Sequence, residues 1–308
     1  MREDIGTILL ASRLMHEENS PNKYIISHLF LRGKLRLLMF SKMLKRVGKL
    51  SVREAGKVIS TLGFDGVDLT VRENGYVEPG EAEEKLGSAI MSFREFGLIV
   101  PMITTNFTSS RDRFVEEVFR TASENGVKYI KLGYWHYRKY GELRSLMREA
   151  ERGLKGIYEL CKEYDVVAGI HTHSGRYLNA FPGLLYNLPR TFEPEYFCSY
   201  IDPGHIAGWG GVDMIEPYIE LHSEYIRMVA VKNFVMEFKG GRWERSMRPL
   251  EEEVVPWRDI FKALRRIEFD EIVSLHSEYK QYNYKELIEQ TRRDLSYIRR
   301  VIKEVWED

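Results

Sequence analysis

The chain has 308 residues, 44% of them hydrophobic and 30% charged, enough to bury one sizeable core. Forty-six basic residues balance forty-six acidic ones, so the overall charge favours no polyanionic partner and no nucleic acid is expected. No apolar run approaches the ~20 residues that span a bilayer, and the charged start Arg2, Glu3, Asp4 does not suit a secretory signal, which leaves a cytoplasmic protein as the expectation.

Residues 1–33 contain two short apolar patches, Ile8–Met15 and Tyr24–Leu31, separated by the turn-forming Asn19, Ser20, Pro21 and Asn22. They are expected to form an N-terminal extension, a pair of short helices packed on the bottom of the main domain. An arm that joins a homodimer is the alternative. Residues 34–308 read as a single domain without a linker.

Within it, strand-like apolar runs recur at intervals of roughly thirty residues. They are Leu35–Phe40, Gly66–Val71, Leu98–Thr104, Lys128–Leu132, Val166–Ile170, Phe197–Ile201, Ile226–Val231 and Ile272–Leu275. Helix-like patterns fill most gaps: Ser51–Leu62 with Ser51 as N-cap, Glu81–Phe96, Arg111–Asn125, Glu142–Tyr164, Met214–Ser223 and Tyr284–Val305. The stretch from Phe234 to Ile267 reads as a long loop, of the kind that forms a lid or a substrate wall. Cys161 and Cys198 have no metal spacing and read as small buried hydrophobes.

Strands that alternate with helices imply right-handed βαβ units and a parallel sheet. Eight such units match a (β/α)8 TIM barrel, in the α/β class. A doubly wound open sheet is disfavoured, because no Gly-x-Gly-x-x-Gly follows the first strand.

In a barrel of this kind the chemistry sits at the C-terminal ends of the strands. Three polar clusters fall there: His171-Thr172-His173, Asp202-Pro203-Gly204-His205 and His276-Ser277-Glu278. Four of the eight histidines lie in them, which points to a site. Side chains alternate along a strand, so His171 and His173 share one face, as do His276 and Glu278. Imidazoles and carboxylates gathered at strand ends suit metal-assisted or acid/base chemistry.

The segments Gly66-Val67-Asp68-Leu69-Thr70, Ile170-His171-Thr172-His173-Ser174-Gly175, Asp202-Pro203-Gly204-His205, Val231-Lys232-Asn233 and Ser274-Leu275-His276-Ser277-Glu278-Tyr279 together resemble the xylose isomerase-like TIM-barrel superfamily. More narrowly they are similar to its sugar phosphate isomerase/epimerase branch, over roughly residues 34–305. The resemblance implies a divalent metal held by a carboxylate on the fifth strand, Asp on the sixth, His on the seventh and Glu on the eighth. A carboxylate pair then moves a proton between neighbouring sugar carbons.

The carry-over is partial. Asp202 fits the sixth-strand ligand, and His205 fits a histidine that orients substrate. The fifth-strand carboxylate falls on His171 and the eighth-strand glutamate on His276. The seventh-strand pattern His-x-Lys-Asp reads Ala230-Val231-Lys232-Asn233, without the histidine. His171, Asp202 and His276 would still make a two-His-one-carboxylate set for a transition metal: zinc, manganese, cobalt or iron.

The expected activity is a metal-dependent sugar isomerase or epimerase that moves a proton next to a carbonyl of a small-molecule sugar or sugar derivative. Glu278, Lys232 and His173 are the candidate proton carriers, and the alternative for Lys232 is an ion pair with Glu278 or Asp202. Arg72 and Lys131 are candidates for gripping a phosphate or carboxylate. Trp243, beside Gly240 and Gly241, is a candidate for closing over the sugar ring. A keto-polyol (inosose-type) dehydratase, an abasic-site endonuclease and a non-catalytic sugar-binding barrel are the alternatives.

Overall fold

The computed structural model describes residues 35–307, so the expected helix pair or dimer arm of residues 1–33 lies outside the described residues. All eight apolar runs form strands: β1 (Arg36–Phe40), β2 (Gly66–Thr70), β3 (Ile99–Thr104), β4 (Tyr129–Lys131), β5 (Val167–His171), β6 (Phe197–Ile201) and β7 (Ile226–Val231). A hairpin of β8 (Asn233–Lys239) and β9 (Arg242–Arg248) follows, and β10 (Ile272–Leu275) completes the set. The strands outside the hairpin close in the order β1-β10-β7-β6-β5-β4-β3-β2. Every barrel pairing is parallel, with Leu38 of β1 in register with Ser274 on one side and Gly66 on the other. The fold is a (β/α)8 TIM barrel.

Helices supply the outer layer: α1 (Lys42–Arg46), α2 (Val52–Leu62), α3 (Ala82–Arg94), α4 (Val115–Glu124), α5 (Leu143–Tyr164), α6 (Pro182–Asn187), α7 (Pro203–Ala207), α8 (Ile215–Leu221), α9 (Trp257–Arg266) and α10 (Tyr284–Glu307). Ser51 caps α2 as expected: its hydroxyl accepts from Glu54 N while the Glu54 carboxylate accepts from Ser51 N. Both cysteines are buried and unpaired, and burial pushes the Cys161 thiol up to about 12. Among the described residues no helix is long and apolar enough to cross a membrane.

The pleat explains where the core ends and the site begins. The barrel interior is packed by Leu38, Met102, Tyr129, Val167, Cys198, Met228 and Ile272. Two or four residues further along the same faces the side chains turn polar: Thr104, Lys131, His171, Asp202, Lys232 and His276, all buried. An apolar plug therefore fills the bottom of the barrel, and a polar cavity lies above it.

The segment read as one long loop is built differently. Its first part is the β8–β9 hairpin, paired from Asn233↔Arg248 to Lys239↔Arg242. Gly240 and Gly241 form its turn with φ of 57° and 79°, the left-handed pair that a two-residue hairpin loop requires. Its last part is α9, whose Trp257, Ile260, Phe261 and Leu264 are buried at i, i+3, i+4 and i+7. Asn233 ties the two parts together, donating to Pro249 O at 2.9 Å and accepting from Trp257 Nε1 at 2.9 Å.

Candidate functional site

A cavity of about 580 Å³ opens at the C-terminal ends of the strands, within the range of ordinary small-molecule pockets. At its base Asp202 follows β6 and caps α7, with Oδ1 accepting from His205 N at 3.0 Å. That leaves Oδ2 for three cationic or imidazole nitrogens: Lys232 Nζ at 2.7 Å, His171 Nε2 at 3.3 Å and His205 Nε2 at 3.7 Å. Gly204 permits this approach, because a Cβ there would stand 2.4 Å from Lys232 O.

Glu278 lies in the loop after β10. Its carboxylate meets Lys42 Nζ at 2.6 Å, Lys232 Nζ at 3.5 Å and His276 Nδ1 at 3.9 Å. The Lys232 ammonium thus bridges the two carboxylates of the site. Burial alone would raise the Asp202 and Glu278 carboxyls. Burial is the largest single influence, but the partners together outweigh it, Lys232 with His205 and His171 at Asp202 and Lys232 with Lys42 and His276 at Glu278, and hold each well below its ordinary range.

The imidazoles are oriented by a second set of contacts. His171 Nδ1 bonds Tyr134 OH at 2.9 Å, and His205 Nδ1 bonds Ser174 Oγ at 2.7 Å. His173 Nδ1 lies 2.6 Å from Ser174 O, and a carbonyl only accepts, so Nδ1 carries the hydrogen and Nε2 keeps the lone pair. Burial, aided by the Lys232 charge, lowers His173 to about 3; burial also holds His171 and His205 well down. All three are neutral imidazoles. On the far wall His276 stacks on Phe40 with centroids 4.3 Å apart, and its Nε2 bonds Tyr200 OH at 2.9 Å.

The proposed metal set can be tested against this arrangement. A transition metal on a carboxylate sits about 2.0–2.2 Å from the oxygen. Lys232 Nζ already stands 2.7 Å from Asp202 Oδ2, so an ion there would have to share the oxygen with an ammonium in contact with it. His276 turns Nε2 to Tyr200 and Nδ1 towards Glu278, not towards Asp202. Among the described residues no three His, Cys, Asp or Glu side chains converge as metal ligands. His171 and Asp202 come together, but the set His171, Asp202, His276 does not fit a metal, because Lys232 takes the central place.

The other expected residues divide cleanly. His173, His205, Arg72, Lys131, Lys232 and Glu278 all line the cavity. Trp243 does not: it lies near the hairpin turn against Phe238, 65% exposed. Sequence reasoning missed Lys42, Tyr134, Tyr200 and Arg245, which also line it. Tyr200 was within reach, two residues before Asp202 on one strand face, and Lys42 lies two beyond Phe40. Arg245 gave no local signal, since only the hairpin brings it over the mouth.

The sequence profile of the xylose isomerase-like TIM-barrel family matches residues 57–301. No curated protein matches the chain. Solved structures share the fold at low identity. A probable 3-DHS dehydratase from Bacillus anthracis is 16% identical, with a TM-score of 0.65 over 85% of this chain and 98% of that one. A D-psicose 3-epimerase from Clostridium cellulolyticum H10, solved with D-tagatose, is 11% identical, with a TM-score of 0.62 over 87% and 99%. A xylose isomerase-like TIM-barrel protein from Mycobacterium smegmatis, solved with magnesium, is 14% identical, with a TM-score of 0.64 over 88% and 97%.

Proposed function

Because the chain belongs to the xylose isomerase-like TIM-barrel family, we propose that it is an isomerase or epimerase that moves a proton next to the carbonyl of a sugar or sugar derivative. One observation carries this reading. An ammonium, Lys232, and an ionised carboxylate, Glu278, stand 3.5 Å apart on the wall of one cavity at the strand ends. Those are the two groups that enolisation needs: a base for the carbon-bound proton and a cation for the oxygen that gains charge.

In this scheme the substrate carbonyl oxygen binds Lys232 Nζ. Glu278 removes the proton from the neighbouring carbon, the C–H electrons form a C=C bond, and the carbonyl electrons move onto the oxygen. Lys232 stabilises the resulting enediolate. Return of the proton from Glu278 to the former carbonyl carbon, with the hydroxyl proton passing to the former carbonyl oxygen, gives isomerisation; protonation of the original carbon by a solvent-derived proton on the opposite face gives epimerisation. His173 Nε2, unprotonated and on the same cavity, is placed to accept a proton from a substrate hydroxyl.

A dehydratase shares the first step and differs only in expelling a hydroxyl from the enediolate. The Bacillus anthracis neighbour supports it as the second reading. Proton NMR in deuterium oxide separates the two over a panel of aldoses, ketoses, sugar phosphates and sugar acids. Solvent deuterium beside the carbonyl with retention of water supports the isomerase, and an unsaturated product supports the dehydratase. Absence of both exchange and product across the whole panel would overturn the proposal.

A further inference from the structure

The cavity carries more positive charge than its own chemistry uses. Six cationic side chains line it: Lys42, Arg72, Lys131, Lys232, Arg245 and Lys280. Lys42 and Lys232 are paired with Glu278 and Asp202. Among the described residues no carboxylate lies within ion-pair distance of the other four. The chain as a whole is neutral, so this excess is local. A cleft lined by one sign of charge concentrates ligands of the other sign.

Lys131 is the sharpest case. It ends β4, only 2% exposed, and its Nζ has just a long contact to Thr105 O at 3.4 Å and the Tyr134 ring at 3.8 Å. Asp68 makes no ion pair with it and instead accepts from hydroxyls, Thr104 Oγ1 at 2.6 Å and Ser274 Oγ at 3.0 Å. A buried ammonium without a carboxylate is an unfavourable arrangement unless a partner arrives from the cavity. Arg72 stands nearby with its guanidinium over the Phe40 ring, and its planar fork suits two oxygens of one anionic group. Burial and, after it, the Arg72 charge press Lys131 towards its neutral form against a smaller opposing influence from the Asp68 charge, and a bound anion would relieve that pressure.

We propose that the substrate carries an anionic oxygen group, and that Lys131 and Arg72 bind it while Lys232 and Glu278 face the reacting carbons. The shared chemistry is a phosphate ester or a carboxylate on the sugar skeleton. This rests on the reading of the cavity as a sugar site, but it is tested by binding alone, so it can fail while the proton-transfer reading stands.

The test is calorimetric titration with matched pairs that differ only in the anionic group: fructose 6-phosphate against fructose, and glucuronate against glucose. Inorganic phosphate serves as a fragment probe. The charged member of at least one pair should bind tighter by on the order of tenfold or more, as expected for charge-assisted hydrogen bonds. Preference for the phosphate pair and competition by inorganic phosphate assigns a phosphate ester; preference for the glucuronate pair assigns a carboxylate. Lys131→Met should abolish the discrimination, and Arg72→Gln, at a partly exposed position that leaves Lys131 in place, should reduce it. Equal binding of both members in both pairs overturns the proposal, as does full discrimination in both variants.

Discussion

Lys42 and Glu278 are 236 residues apart in sequence, yet their side chains meet at 2.6 Å. One follows the first strand of the barrel and the other the last, and β1 and β10 are neighbours where the sheet closes. The pair therefore sits over the closing seam and couples the state of Glu278 to a residue that sequence reasoning passed over. Lys42→Met should leave burial less opposed at Glu278. Its carboxyl should rise, and the acid limb of kcat/KM should move to higher pH. A pH profile with an unmoved acid limb would separate Lys42 from the chemistry.

Glu278→Gln keeps the shape of the side chain and removes its ability to take a proton. A general base typically contributes about 10²–10⁴-fold in rate. Turnover on the substrate found in the deuterium screen should fall by that order, with KM much less affected. Normal turnover in this variant would pass the role of base to His173.

In the proposed mechanism Lys232 takes the part of the cation that a metal would otherwise supply. Treatment with a chelator should leave the melting temperature of the wild-type protein unchanged. Lys232→Ala should destabilise the fold by roughly 3–5 kcal/mol, because it leaves the buried Asp202 carboxylate without its closest positive partner. The vacated space should then admit a divalent ion, seen as Mn²⁺ immobilisation by electron paramagnetic resonance in the variant alone. Tight Mn²⁺ binding by the wild-type protein would show that the ammonium yields its place.

His173 links stability to acidity. Its folded value, about 3, lies below the ordinary histidine value of 6.5, so below the latter the unfolded chain binds a proton that the folded one refuses. Its contribution is complete above pH 6.5 and is lost as pH falls towards 3. Urea unfolding should show stability declining across that window, and His173→Asn should flatten the slope. An unchanged slope in the variant would place the acid sensitivity elsewhere.

The parts of this molecule that follow from period and parity were readable in the sequence. Eight apolar runs form eight strands, and alternation along the fifth rightly set His171 and His173 on one side, where both line the cavity. What escaped were features decided by tertiary context. An ion pair of Lys232 with Asp202 or Glu278 was among the readings the sequence allowed, but not that the one ammonium spans both carboxylates and takes the place where a metal was expected. The hairpin hides in a segment without a strong period, and its register places Arg245 over the cavity while leaving Trp243 in solvent. The helix at Trp257–Arg266 carries an i, i+3, i+4, i+7 apolar pattern that was legible, although the polar run Glu251-Glu252-Glu253 just before it reads as loop.

The apolar plug of Leu38, Met102, Val167, Met228 and Ile272 has a kinetic consequence. Among the described residues the barrel axis is filled below the site, so the way in above the strand ends is also the way out. Substrate and product share that doorway and the site beneath it, so an accumulating product should compete with substrate in the forward reaction.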